Sequence, residues 1–140
     1  SSRGQIGVMR VIMKHPKYRE INIDGLFSVA DALIQAAKNK EVEAMQEIMN
    51  SPEYQKIRSN GTSSLGTAFV CAAKARWFDV FKYFRAAREA VSLIIKNSRF
   101  KEIHASMIFK AVKKTTFIMK VYIVSKLTSR FFSKCFLGRQ

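Results

Sequence analysis

Ile48-Met-Asn-Ser-Pro-Glu-Tyr-Gln-Lys-Ile57 has two echoes in the chain: Ile12-Met-Lys-His-Pro-Lys-Tyr-Arg-Glu-Ile21 before it and Ile94-Ile-Lys-Asn-Ser-Arg-Phe-Lys-Glu-Ile103 after it. Each decapeptide begins with two apolar residues. Each places Pro16, Pro52 or Ser98 fifth and Tyr18, Tyr54 or Phe100 seventh, and closes on Ile21, Ile57 or Ile103. A second motif lies between the copies: Ala32-Leu-Ile-Gln-Ala-Ala-Lys38, then Ala68-Phe-Val-Cys-Ala-Ala-Lys74, then more faintly Met107-Ile-Phe-Lys-Ala-Val-Lys113. Two motifs interleaved in one order mark an internal repeat. The first two copies stand 36 residues apart in both motifs, whereas the third is offset by 39 in one and 46 in the other. About ten residues are therefore inserted near Arg85–Ser92 and several are missing after Ile103.

Each unit reads as two helices. The small residues Ala32, Ala36 and Ala37 let a neighbouring helix approach closely, and Leu33 and Ile34 add apolar bulk. After a polar break at Asn39-Lys40, the residues Val42, Met45, Ile48 and Met49 form an apolar stripe at helical spacing. Phe78, Phe81 and Phe84 take the equivalent places in the next unit. Asn50-Ser51-Pro52 ends that helix or caps a short turn, and Asn60-Gly61 marks a tight turn before the next unit. Stacked helix pairs of this kind bury a continuous core that no single pair could form. The expected fold is all-α, with about three stacked helix-turn-helix units at roughly 8–57, 58–103 and 104–137 within one domain spanning 1–140.

The residues that carry this pattern resemble ankyrin repeats. Residues 32–49 are similar to that family's Leu-His-x-Ala-Ala…Val-Val-x-Leu-Leu run, and Thr67-Ala-Phe-Val-Cys-Ala-Ala-Lys74 to its Thr-Pro-Leu-His-x-Ala-Ala opening. Asp24-Gly25 and Asn60-Gly61 stand where the family places its turn. The resemblance covers about residues 22–125 and departs at two kinds of position. The family's His is Ile34, Val70 or Phe109 here, and its inter-helix Gly is Lys40, Arg76 or Thr115. The chain is thus similar to a degenerate ankyrin-like α-solenoid, and its Lys-, Phe- and Asn-rich texture also resembles modules of effectors from intracellular bacteria. The resemblance implies a protein-interaction scaffold whose turns and first helices meet a partner.

Composition narrows the alternatives. The chain has 140 residues, 48% of them apolar, with eleven Phe but only six Gly and two Pro, which favours helices over a turn-rich β fold. Its longest apolar stretch, Phe117–Val124, contains Lys120 and is far too short to span a membrane. Two widely spaced cysteines, Cys71 and Cys135, offer no disulfide framework and read as packed thiols of a reducing, cytoplasmic setting. That setting would be the host cytosol for a bacterial effector. His15 and His104 have no companions at metal-ligand spacing, and no glycine-rich phosphate loop occurs. Glu41, Glu43 and Glu47 read as a solvated helix face. No enzyme activity and no cofactor is expected. The first decapeptide has no Ala-Ala-Lys helix before it, and Ser1-Ser2-Arg3-Gly4 contains no initiator Met. Both suggest a piece of a longer protein.

The charge is the outlier, with 25 Lys and Arg against 10 Asp and Glu. Eleven of those cations and only one acid, Glu102, follow Ile95, so the last 45 residues carry +10 of the +15. Lys38, Lys74 and Lys113 match one another between units, with Lys40, Arg76 and Lys114 beside them. They form either a basic stripe for an acidic protein partner or solvated helix ends favoured by the dipole. Trp77 is either an exposed anchor or, as its size favours, packed against Phe78 and Phe81. Lys113–Phe136 interleaves cations, Lys110 just before them, with Phe117, Ile118, Tyr122, Ile123, Leu127, Phe131 and Phe132. A polar cap whose apolar face packs on the second unit accounts for that pattern, and an anionic lipid surface is the other partner it admits. Nucleic acid ranks lower, because no recognition motif is present and the aromatics read as core.

Overall fold

A computed structural model describes Val11, residues 29–74 and residues 82–137, with side chains in the last stretch from 84 to 129. The first decapeptide, Asp24-Gly25, Arg76, Trp77, Phe78 and Phe81 lie outside the described residues, as do the side chains of Phe131, Phe132 and Cys135. The described residues form six α-helices and no strand. These are α1 (Val29–Lys38), α2 (Val42–Met49), α3 (Leu65–Ala73), α4 (Lys82–Lys96), α5 (Ala105–Lys113) and α6 (Phe117–Leu137). The all-α expectation holds.

The two described decapeptides follow one backbone course. Each ends a helix and turns through a short 3₁₀ segment, Pro52–Lys56 in one and Ser98–Glu102 in the other. Their hydrogen bonds correspond one for one. Ser51 N and Asn97 N donate to the Ile48 and Ile94 carbonyls, and Ile57 N and Ile103 N to those of Tyr54 and Phe100. The aromatic at the seventh place and the Ile at the tenth are buried in both copies. Full burial of one such side chain stabilises by about 1.5–3 kcal/mol, so the turn is anchored at two points.

Helix pairing follows from the small residues. α3 packs on both α1 and α5, α4 on both α2 and α6, and each odd-numbered helix on the even-numbered helix after it. Ala36, Ala37, Ala68, Ala72, Ala73 and Ala111 are all buried on the odd-numbered helices, which pack on one another in succession. At Gly66 a Cβ would meet the end of the Met107 side chain and stand 3.2 Å from the Ser59 carbonyl, so α5 lies close against the start of α3. The α3 start is set by Ser64, whose hydroxyl accepts from Thr67 N while donating to the Gly61 carbonyl. Gly61 itself sits at φ 95°, in the left-handed region expected of Asn60-Gly61. Most of the insertion expected near Arg85–Ser92, in the second unit, falls within α4, which has 15 residues where α2 has 8. The missing residues shorten the approach to α5, which begins two residues after Ile103.

Candidate partner-binding surface

The surface rests on a polar joint between the two 3₁₀ turns. Arg99, 8% exposed, extends its guanidinium across the first turn. Its Nη1 donates to the Tyr54 carbonyl and Nη2 to the Ile57 carbonyl, each at 2.6 Å. Nε meets Glu102 Oε2 at 3.1 Å, and the guanidinium carbon stands 5.3 Å from the Tyr54 ring centroid. Tyr54 OH donates to Asn97 Oδ1, and Ser59 Oγ to Glu102 Oε1. Asn60 closes the joint, donating to the Glu102 carbonyl and accepting from His104 N. Hydrogen bonds from Arg99, then from Ser59, hold the Glu102 carboxyl below the usual glutamate range.

Above this joint the odd-numbered helices run side by side in one direction. Lys40, just past the end of α1, reaches Cys71 in the last turn of α3, and Gly66 near the start of α3 meets Met107 near the start of α5. Their C-terminal ends therefore fall on one side of the molecule. Lys38, Lys74, Lys113 and Lys114 occupy those ends, and all four are exposed, as is Lys110 one turn earlier on α5. Positive side chains there also oppose the negative ends of the helix dipoles.

Lys40 departs from the expected exposed stripe: it is only 6% exposed. It occupies the left-handed residue that closes α1, at φ 58°, in a Schellman-like arrangement where Lys40 N bonds to Ala37 O and Glu41 N to Ala36 O. Its ammonium donates to the Cys71 carbonyl. Burial, with the Lys74 charge adding to it and Cys71 opposing it, lowers its pKa to about 8. Lys40 thus ties α1 to α3 and holds the Lys38 and Lys74 positions in register. Because the folded state disfavours its charged form, the Lys40 contribution to stability should increase as pH rises from about 8 toward 10.5. Tyr54, pushed up to about 12 by burial, acts in the opposite sense above pH 10. Denaturation of the protein and of Lys40→Met between pH 7.5 and 9.5, within about two units below the ordinary lysine value, should show the rise only in the parent.

The last helix pair corrects a second expectation. Phe109 and Phe117 do not join the core; they are 60% and 77% exposed. α6 buries Met119 and Ile123 but leaves Ile118, Val121 and Val124 outside. On its other side, Tyr122 and Lys126 line a cleft of about 650 Å³ with Val42, Arg88, Leu93 and Lys96. Nothing in the repeat pattern marked that cleft, because its residues come from α2, α4 and α6 at unequal offsets.

No family model matches the chain, and no curated protein or solved structure is similar to it. The chemistry of the surface therefore has to speak from its own residues. Among the described residues no three His, Cys, Asp or Glu side chains gather as metal ligands would, and no helix is long and apolar enough to cross a membrane. What the described residues do bring together is exposed lysines at the ends of three helices packed in succession.

Proposed function

We propose that the chain is a protein-interaction scaffold, an array of stacked ankyrin-like helix pairs that presents a row of basic helix ends to an acidic protein. The observation that carries this reading is the placement of Lys38, Lys74 and Lys113. They are 36 and 39 residues apart in sequence, yet they stand at the same end of three helices packed in succession. Packed helices lie about 8–10 Å apart, so the row spans about 20 Å, the reach of an acidic helix face or loop. Lys114 and Lys110 extend it, and Arg76 and Trp77 are further candidates from the sequence. The scaffold acts in a reducing cytosol in this reading, the host's if the chain is an effector module.

Affinity capture from cell lysate at low and physiological salt tests it, using the parent and Lys38→Glu/Lys74→Glu/Lys113→Glu. The parent should retain a defined acidic protein, and the variant should bind it at least about tenfold more weakly. The three side chains are exposed, so the thermal midpoint should be unchanged. Equal retention by parent and variant would sink the proposal.

A further inference from the structure

α6 has two apolar faces, and the core uses one. Met119 and Ile123 are fully buried in the core, while Phe117, Ile118, Val121 and Val124 are 77%, 65%, 54% and 52% exposed. Steps of four and three residues set Phe117, Val121 and Val124 on one side of the helix, flanked by Ile118 and Lys120. α5 and α6 are joined by only three residues, Lys114 to Thr116. At the end of α5, the Lys113 ammonium lies 4.5 Å from the centroid of the exposed Phe109 ring. Large apolar side chains are thus interleaved with Lys110, Lys113, Lys114 and Lys120, and nothing after Glu102 in the chain is acidic.

We infer that this face of α5 and α6 is a docking surface for an anionic lipid bilayer. Phe109, Phe117, Ile118, Val121 and Val124 enter the boundary between headgroups and acyl chains, and the four lysines engage the headgroup phosphates. Charge selects the occupant. A second copy would set one +15 molecule against another and lysine against lysine across the contact. Shape decides between a bilayer and an acidic protein. Protein anchors fill pockets, and the cleft that α6 helps to form lies with Tyr122 and Lys126 on its other side. Side chains more than half exposed project outward and need no matching pocket in a fluid boundary. α6, with 21 residues, is about 31 Å long and lies in the interface plane, in keeping with its lysines. This surface shares Lys110, Lys113 and Lys114 with the row begun by Lys38 and Lys74, and differs from that row in its apolar side chains and Lys120.

The test is flotation of the full chain with vesicles of phosphatidylcholine alone or with about one third phosphatidylserine. Phe117→Ser/Ile118→Ser/Val121→Ser removes the apolar contact, and Lys110→Gln/Lys113→Gln/Lys114→Gln/Lys120→Gln the charge. All seven positions lie at least partly in solvent, so circular dichroism and the thermal midpoint should match the parent. The parent should float with the phosphatidylserine vesicles and remain behind with the neutral ones. The apolar variant should partition at least about tenfold less, and each lysine lost should cost about fivefold at low salt. Lys38→Glu/Lys74→Glu should float like the parent, so failure of the protein-scaffold reading leaves this result standing. Flotation unchanged in the apolar variant would overturn the inference. Retention on poly-glutamate without flotation would overturn it as well, and would assign the face to an acidic protein.

Discussion

Replacing Arg99 with Met should lower the free energy of unfolding by about 3–5 kcal/mol, read from the denaturant midpoint at constant slope. The loss does not come from the Glu102 ion pair, because the Glu102 side chain is 41% exposed and regains water when its partner leaves. It comes from the Tyr54 and Ile57 carbonyls, which accept from the guanidinium at 2.6 Å inside the joint. Ile57 O suffers more, since Tyr54 O retains the Ile57 amide as a donor at 3.1 Å. An unsatisfied buried acceptor costs about 1–3 kcal/mol, and the packing of Arg99 on the Tyr54 ring is lost in addition. Arg99→Lys should recover only part of the loss, because one ammonium cannot span two carbonyls and a carboxylate as the planar fork does. Glu102→Gln should fall below about 1 kcal/mol at neutral pH. The carboxyl is held low, so its contribution is complete above the ordinary glutamate pKa and fades as pH falls through the lower folded value. A loss under about 1 kcal/mol for Arg99→Met would mean that the apolar contacts of the two turns suffice without the clamp.

The decapeptide was legible because its signals are local. An apolar pair, a turn residue, an aromatic and a closing Ile at fixed spacing each bury or bend the chain in the same way wherever they recur. Tyr54, Ile57, Phe100 and Ile103 are accordingly all buried. The alanines were legible for the same reason, since small residues at helical spacing have no better use than close packing. Arg99 was not legible: the sixth place of the motif is Lys17, Glu53 and Arg99 in turn, so no type recurs to point to a role. Its importance comes from carbonyls more than forty residues away. Lys40 read as surface because lysine rarely buries its charge. Its place at the expected inter-helix Gly position was the available warning, since a left-handed residue there turns its side chain toward α3. The segment of α6 was legible as basic and apolar, but which apolar residues stay outside was not, because both of its faces are apolar. Periodicity detects a stripe but cannot tell which of two stripes the core takes.

Phe69→Ala should cost about 3–5 kcal/mol and should also make unfolding less cooperative. Phe69 is fully buried in the middle of α3, the helix that packs on both α1 and α5. Its ring meets Phe100 edge-on, with centroids 5.5 Å apart and planes at 63°, so it also connects α3 to the second 3₁₀ turn. The size of the effect is that of a cavity in a site with little room to collapse, because the alanines around it hold the helix axes close already. The change in cooperativity follows from position. In a stack where each helix pair touches only its neighbours, the middle pair alone couples the ends. Weakening it should let one end unfold before the other and lower the denaturant slope below that of the parent. Leu33→Ala, at the equivalent place in α1 and 1% exposed, offers the control. It should cost about 2–5 kcal/mol but leave the coupling between the α3–α4 and α5–α6 pairs intact. An unchanged slope in Phe69→Ala beside a lowered midpoint would show one indivisible core and count against the stacked-array reading. The pairwise share of the ring contact is separable. Phe69→Leu and Phe100→Leu, alone and together, should give a coupling of about 0.5–1.5 kcal/mol if the edge-on geometry contributes beyond area.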